Sequence, residues 1–383
     1  MDFEFSAEQN ILRDSVRTLM ARGAADEYIR THDRERRFPQ ALYDRWVAAG
    51  LLRLPFPEEF GGVDGSALDL AIVSEEIAYR SYDFFAAYSG SVFCGMNIAR
   101  KGTPEQKRRW LPKLMAGEVK MQVSMSEPDA GSDVGALRTR AQRDGDAWLI
   151  NGQKVWATGA GVEGCVINVY ARTDPKADRR SALSLFLVDN DTPGIRMRKL
   201  DMLGRGCVGT YEIFFDDVRV QGDRLIGGEN RGWDCMLSGL QIERATNSAG
   251  YCGGAQAVVD LATDYAKQRS QFGRPIGTFQ AIGHMLADMQ TEVDAARTLM
   301  WRAAWLISQG RDALREISMA KLFCSETYLK VANMGMQIMG ASGYSMEYDM
   351  QRYFRDARSV TTAAGSSQMQ RNTIAGLMGL KQQ

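Results

Sequence analysis

The 383-residue chain is poor in histidine, with only His32 and His284, so Ser-His-Asp or Cys-His catalysis would have to use one of these two. His32 sits in a run of charges and His284 in a long helical pattern, and a surface or packing role suits both. The six cysteines, Cys94, Cys165, Cys207, Cys235, Cys252 and Cys324, are scattered and form no CxxC pair. They read as reduced thiols of a cytoplasmic protein, with no metal site. Charge of either sign is not in excess, with 47 Lys plus Arg against 47 Asp plus Glu. No global field therefore draws the chain to nucleic acid or to an anionic membrane. No apolar run is long enough to span a bilayer, and the start, Met1-Asp2-Phe3-Glu4-Phe5, lacks the basic and apolar stretches of a signal peptide. No strand leads into GxGxxG, so a Rossmann site is not expected.

Periodicity divides the chain into three parts. Residues 1–118 read as helices. Ser6 and Gln9 have capping-box spacing ahead of Ile11, Leu12, Val16 and Leu19, which share one helical face. Leu54-Pro55-Phe56-Pro57 and Gly61-Gly62 interrupt the pattern as a loop. Residues 119–225 change period. Short β-prone runs at Met121–Met125, Ala147–Ile150, Cys165–Tyr170, Leu183–Val188 and Tyr211–Phe215 alternate with turn signals, which predicts an antiparallel sandwich or barrel. Residues 226–383 are helical again. Pro275 is the last proline, and Phe279, Ile282, Met285, Leu286, Met289, Val293, Ala296 and Leu299 form a long apolar stripe suited to a bundle and a subunit interface. The fold class expected is α+β, with a helical domain, a β domain and a helical bundle in that order.

Local motifs give this order a family. Pro57-Glu58-Glu59-Phe60-Gly61-Gly62, Ser126-Glu127-Pro128-Asp129-Ala130-Gly131-Ser132-Asp133 and Asn151-Gly152-Gln153-Lys154-Val155-Trp156-Ala157-Thr158 resemble, in order, motifs of the acyl-CoA dehydrogenases. So do Arg269-Ser270-Gln271-Phe272-Gly273 with Gln280, Gln337-Ile338-Met339-Gly340, and Arg355-Asp356-Ala357-Arg358. Together they span nearly the whole chain.

The resemblance implies an FAD enzyme acting on an acyl-CoA thioester. Met125 and Ser126 would hydrogen-bond the flavin's polar edge. Gly131 and Ser132 belong to the same signature, and Ser132 would also meet the CoA arm. Trp156 and Thr158 would pack on and hydrogen-bond the ring system, for which an indole offers a large flat apolar face. Arg269, Phe272 and Gln280 would reach the FAD of a neighbouring subunit, with Arg269 on the pyrophosphate. Gln337 and Gly340 would cover its adenosine half, and Ser366 and Gln368 would contact flavin and adenine. A site shared in this way implies an oligomer, in the family usually a homotetramer built as a dimer of dimers. Electrons would pass to electron-transfer flavoprotein.

The reaction expected is α,β-dehydrogenation: a carboxylate takes the α-proton while the β-hydrogen leaves as hydride. In many relatives the base is the Glu of a Y-E-G-(T/S) segment. Here that segment reads Ala363-Ala364-Gly365-Ser366. In a branch resembling isovaleryl-CoA dehydrogenase the Glu comes from an L-x-x-E-R helix, and Leu240-Gln241-Ile242-Glu243-Arg244 makes Glu243 the candidate base. The Ala364 backbone N–H would still hold the thioester oxygen, with Gly365 and Arg244 beside the substrate. Arg244 lies about 100° round the helix from Glu243 and need not neutralise it. Met202-Leu203-Gly204-Arg205-Gly206-Cys207 departs from the family pattern, so no contact is carried over to it. The aromatics Tyr79, Tyr82, Phe84, Phe85 and Tyr88 lie near where relatives shape the acyl pocket, and Arg80 could meet an anionic acyl tail. The same fold could also run as an enoyl-CoA reductase, similar to crotonobetainyl-CoA reductase, or as a desulfinase or lyase-like relative.

Overall fold

The structure, a computed structural model, describes residues 4–178 and 181–380. The first three residues of the start read above, Met1-Asp2-Phe3, lie outside the described residues.

Six helices come first: α1 (Ala7–Gly23), α2 (Asp26–Glu35), α3 (Gln40–Ala48), α4 (Ala67–Arg80), α5 (Tyr82–Lys101) and α6 (Pro104–Met115). The expected capping box starts α1: the Gln9 N–H donates to Ser6 Oγ at 3.2 Å, and the Ser6 N–H donates to Gln9 Oε1 at 3.2 Å. Ser66 with Asp69, and Thr103 with Gln106, start α4 and α6 the same way.

Eight strands follow: β1 (Lys120–Ser124), β2 (Arg140–Asp144), β3 (Ala147–Thr158), β4 (Cys165–Arg172), β5 (Leu183–Asp189), β6 (Ile195–Leu200), β7 (Thr210–Gln221) and β8 (Leu225–Ile226). They form one sheet in the order β6-β7-β3-β2-β4-β5-β8, with β1 on β4. The pairings are antiparallel, as the sequence predicts, except that β1 runs parallel to β4 and a single parallel bridge joins β2 to β4. The parallel pairing brings the end of β1 under the helices. The sheet encloses its own core, in which Trp148 and Phe186 meet edge-on at 5.4 Å. Along β4, Ile167 and Val169 face that core, while Val166 and Tyr170 face the helical one.

The chain then returns to helix in α7 (Gly232–Gln268), makes a short hairpin of β9 (Ser270–Gln271) and β10 (Arg274–Pro275), and continues as α8 (Gln280–Ser308), α9 (Leu314–Met339), α10 (Ala341–Tyr344), α11 (Met350–Val360) and α12 (Ser367–Leu377). At 37 residues α7 is about 55 Å long and is the axis of the molecule, packing on α4, α5, α8 and α9. Small residues make that packing possible. A Cβ at Gly253 would lie 2.2 Å from the Glu75 carbonyl oxygen of α4, so only glycine admits the crossing. Among the described residues no helix is long and apolar enough to cross a membrane.

Candidate active site

Two of the places on this frame that carry buried charge concern the predicted site residues. The first lies where β1 ends. The chain turns through Glu127–Ala130, whose N–H and C=O groups pair with each other at 2.9 and 3.1 Å. The Glu127 carboxylate accepts from the N–H groups of Arg138 (2.6 Å) and Thr139 (2.9 Å) and from Lys154 Nζ at 2.8 Å. Lys154 also donates to the Met125 carbonyl at 2.9 Å, and its side chain is wholly buried. Burial pushes the Lys154 ammonium down to about 8 despite its partner. Burial pulls Glu127 up, but Lys154 and the hydrogen bonds prevail and leave it below the usual carboxylate range. The pair is ionised and satisfied. It clamps the Ser126–Asp133 loop to β3, a role that the sequence reading did not assign to either residue.

The clamp sets up an exposed aromatic platform. The Val155 N–H donates to the Ser126 carbonyl at 2.9 Å, and an irregularity in the β3–β7 pairing between Lys154 and Ala157 turns Trp156 outward. Trp156 is 59% exposed and sits at φ +62°, a conformation that a bulky residue rarely adopts. Such strain concentrates at functional sites. Met125, Ser126 and Thr158 around it are half-buried, and Gly131 and Ser132 are exposed.

The second place is on α7. Glu243 is half-buried, and among the described residues no hydrogen-bond or ion-pair partner reaches its carboxylate. Burial raises it to about 7, against the opposing pull of Arg244 and Lys321. Arg244 is buried, its Nε has no partner, and burial lowers its pKa. Lys321 on α9 donates to the Val360 carbonyl at 3.1 Å and is pushed down to about 8, first by burial and then by Arg244. Above this cluster runs the loop between α11 and α12. A Cβ at Gly365 would lie 3.5 Å from the Arg244 guanidinium, so Arg244 and the loop lie together. Ala364 sits at φ +52° and Gly365 at φ +81°, and neither backbone N–H makes a hydrogen bond among the described residues. The Ser366 hydroxyl accepts the Met369 N–H at 3.3 Å as the cap of α12, and Gln368 is exposed on that helix.

The remaining predicted residues stand apart from both places. The β9–β10 hairpin turns through Phe272 (φ +51°) and Gly273 (φ +78°), the geometry of a tight two-residue hairpin, and holds the Phe272 ring 94% exposed. Arg269, Gln280, Gln337 and Gly340 are exposed as well. Within one chain these residues lie on the surface of the bundle.

Several readings of the pocket lining are corrected. Arg80 does not face an acyl tail: its guanidinium donates to the Ala24 carbonyl (2.8 Å) and to Asp26 (2.6 Å), because the end of α4 abuts the start of α2. The Tyr79 hydroxyl donates to Asp260 at 2.8 Å, and the Tyr88 hydroxyl to the Leu51 carbonyl at 3.2 Å, so both fasten helices. Tyr82 and Phe85 do face α7. His32 is buried, with Nδ1 2.7 Å from the Tyr28 carbonyl oxygen, and serves packing, while His284 is exposed. The divergent Met202–Cys207 segment is held by two carboxylates: Asp356 accepts the Arg205 N–H at 2.9 Å, and Asp83 accepts the Cys207 N–H at 2.7 Å. All six cysteines are free and buried, and no metal-binding group occurs among the described residues.

Comparison with known proteins agrees along the whole chain. The sequence matches "Acyl-CoA dehydrogenase, N-terminal domain" over residues 6–118, the "middle domain" over 123–218 and the "C-terminal domain" over 230–378. It is 37% identical over 379 residues to a probable acyl-CoA dehydrogenase, YngJ, of Bacillus subtilis (strain 168), covering 98% of this chain and 99% of that one. It is 33% identical over 377 residues to the caffeyl-CoA reductase-Etf complex subunit CarC of Acetobacterium woodii, with 98% and 99% coverage. The fold superposes on the FAD complex of PigA with a TM-score of 0.93 at 28% identity, covering 99% of this chain and 100% of that one.

Proposed function

The chain belongs to the acyl-CoA dehydrogenase family and is an FAD-dependent oxidoreductase, and from that premise we propose that it dehydrogenates an acyl-CoA thioester with Glu243 as the base. The observation that carries this reading is the Glu243 carboxylate: half-buried, without a hydrogen-bond or ion-pair partner among the described residues, and raised to about 7 by burial. A buried carboxylate with no partner is costly to keep, and proton abstraction is a reason to keep it. A group poised near neutrality exchanges protons effectively at ordinary pH.

The residues present fit the cofactor. Trp156 offers an exposed indole beside the half-buried Ser126 and Thr158, on a backbone fixed by the Lys154–Glu127 clamp. Trp156, Met125, Ser126, Gly131, Ser132 and Thr158 would hold the isoalloxazine half, and Ser366 and Gln368 would contact flavin and adenine. Bound there, the flavin supplies the acceptor for the β-hydride. Arg269, Phe272, Gln280, Gln337 and Gly340 would serve the FAD of a neighbouring subunit, which their exposure within one chain supports. A homotetramer follows as the proposed assembly, with residues 1–118, 119–225 and 226–383 as its domains.

In this reading the thioester would bind at the second site. The N–H of Ala364, which makes no hydrogen bond among the described residues, would donate to the carbonyl oxygen as negative charge develops there. Gly365 leaves room beside Arg244. Glu243 then takes the α-proton. The reduced enzyme would pass electrons to electron-transfer flavoprotein, in keeping with the Etf-complex relative. That same relative, a reductase, favours a second reading: a Glu243 near pH 7 can return a proton as readily as take one, so the enzyme could run as an enoyl-CoA reductase.

The test is anaerobic mixing of the purified flavoprotein with an acyl-CoA panel, followed by flavin bleaching and repeated with Glu243→Gln. Bleaching that disappears in Glu243→Gln supports the assignment. Turnover that survives the substitution rules Glu243 out as the base.

A further inference from the structure

Glu243 belongs to a stripe on α7 that is open at one end and shut at the other. Trp233, Met236, Leu240, Glu243 and Asn247 are half-buried and follow one another at three- and four-residue spacing, so they share one face of the helix. Leu237, beside the start of the stripe, is 48% exposed, so this end reaches the surface. Past Asn247 the stripe stops: every residue from 248 to 255 is buried.

The facing helix shows the same limit. Within residues 82–98 of α5 only Ser89 and Gly90 are not buried. A Cβ at Gly250 would lie 2.9 Å from the Phe85 ring, and a Cβ at Gly239 would lie 2.7 Å from the Phe93 ring, so α5 runs antiparallel to α7. Ser89 and Gly90 stand midway between those two contacts, hence opposite Glu243. The Met121 N–H donates to Ser91 Oγ at 3.2 Å, which lays β1 along the third side, with Val123 and Met125 half-buried. Small side chains leave an opening at the level of Glu243, and the Phe85 ring on Gly250 ends it. Tyr251, fully buried with its ring 5.7 Å from that of Tyr82, backs the same end.

The two ends suit different parts of a thioester. Its CoA arm is large, polar and charged, so it fits only the end that opens to solvent. The acyl tail must then run the other way, toward Phe85. From Glu243 to Asn247 is four residues, about 6 Å of helix. At ordinary C–C bond lengths this is space for about four carbon atoms past the one that loses its proton.

We propose that the substrate is a short-chain acyl-CoA of about six acyl carbons or fewer, with Phe85 as the residue that sets the limit. The proposal rests on the acyl-CoA reading above and names its substrate class.

The experiment uses the holoenzyme and straight-chain thioesters from butyryl-CoA through hexanoyl-CoA and dodecanoyl-CoA to palmitoyl-CoA. Flavin bleaching efficiency is expected to peak at butyryl-CoA or hexanoyl-CoA and to fall by about tenfold or more at dodecanoyl-CoA. Phe85→Ala removes the ring that shuts the groove and should raise the dodecanoyl-to-butyryl ratio by about tenfold. Phe85→Leu keeps the core largely filled and should raise the ratio by about threefold. It decides the question where the alanine variant loses FAD or fails to fold. A wild-type series that is flat or peaks at dodecanoyl-CoA or longer overturns the proposal, as does a ratio unchanged in the folded Phe85 variants. Calorimetric binding of the same series to Glu243→Gln holoenzyme separates this proposal from the reading beneath it. Absence of bleaching with every thioester, alongside tighter binding of the short ones, defeats the dehydrogenase reading and leaves the short-chain assignment standing. Equal binding at every length overturns the short-chain assignment.

Discussion

Two buried charged clusters sit on the two sides of this site, and they are built on opposite principles. At the β1–β3 junction, Lys154 and Glu127 bury a full ion pair in which the carboxylate accepts three hydrogen bonds and the ammonium donates two. On α7 and α9, Glu243, Arg244 and Lys321 bury three charges and form no ion pair with one another; the Arg244 Nε stays unpartnered, and Lys321 bonds only a backbone carbonyl. The first arrangement is rigid because every charged atom is accounted for. The second leaves its charges without mutual pairing, at a cost in stability. Of these two clusters, the satisfied one reads as scaffold and the unsatisfied one as the candidate for chemistry.

Substitution of Glu243 gives the largest expected effect on this contrast. Glu243→Gln should lower flavin reduction by about 10²–10⁴-fold while leaving FAD content intact, read by stopped-flow bleaching. The clamp comes next: Lys154→Met should destabilise the fold by about 3–5 kcal/mol in denaturant titration and shed FAD, because Glu127 is left charged and buried. If the double substitution Lys154→Met with Glu127→Leu recovers much of that loss, the pair acts as scaffold rather than as chemistry. Proton uptake by Glu243 supplies a third measurement. The base works only when ionised, so the reduction rate should fall about tenfold per pH unit below about 7. The sign for stability is opposite: a carboxylate raised in the folded state costs stability as pH rises from its unfolded value through about 7. Glu243→Gln should therefore raise Tm at alkaline pH, with the gain vanishing in acid. The smallest effect is at Trp156, where Trp156→Gly should relieve about 1 kcal/mol of strain while weakening retention of FAD.

The elements legible in the sequence were those with one dominant periodicity. Five strands and the Ser6 cap stood out because apolar alternation and capping spacing are local signals. Strands β2 and β6 did not, since Arg140, Gln142 and Arg143 in one and Arg196, Arg198 and Lys199 in the other give edge-like, solvent-facing runs with little apolar content. The proposal of Glu243 comes from the sequence, through the vacancy at Ala364 and the L-x-x-E-R spacing, and the structure adds the half-buried setting of its carboxylate. The Glu127–Lys154 bond spans 27 residues and depends on β1 ending beside β3, which no local pattern reports. Arg80 was misread because its direction is set by the end of α2's neighbour loop at Ala24, a tertiary contact.

The left-handed backbone at Ala364 has an evolutionary consequence. Alanine and glutamate bear a similar steric burden at φ +52°, since both carry a Cβ. An exchange of one for the other there leaves the loop's conformational cost nearly unchanged and keeps the N–H in place. A lineage can thus lose a side-chain carboxylate from the loop once a helix supplies another, without refolding the loop in between. Ala364→Glu in this chain, combined with Glu243→Ala, would retrace that path in a single protein.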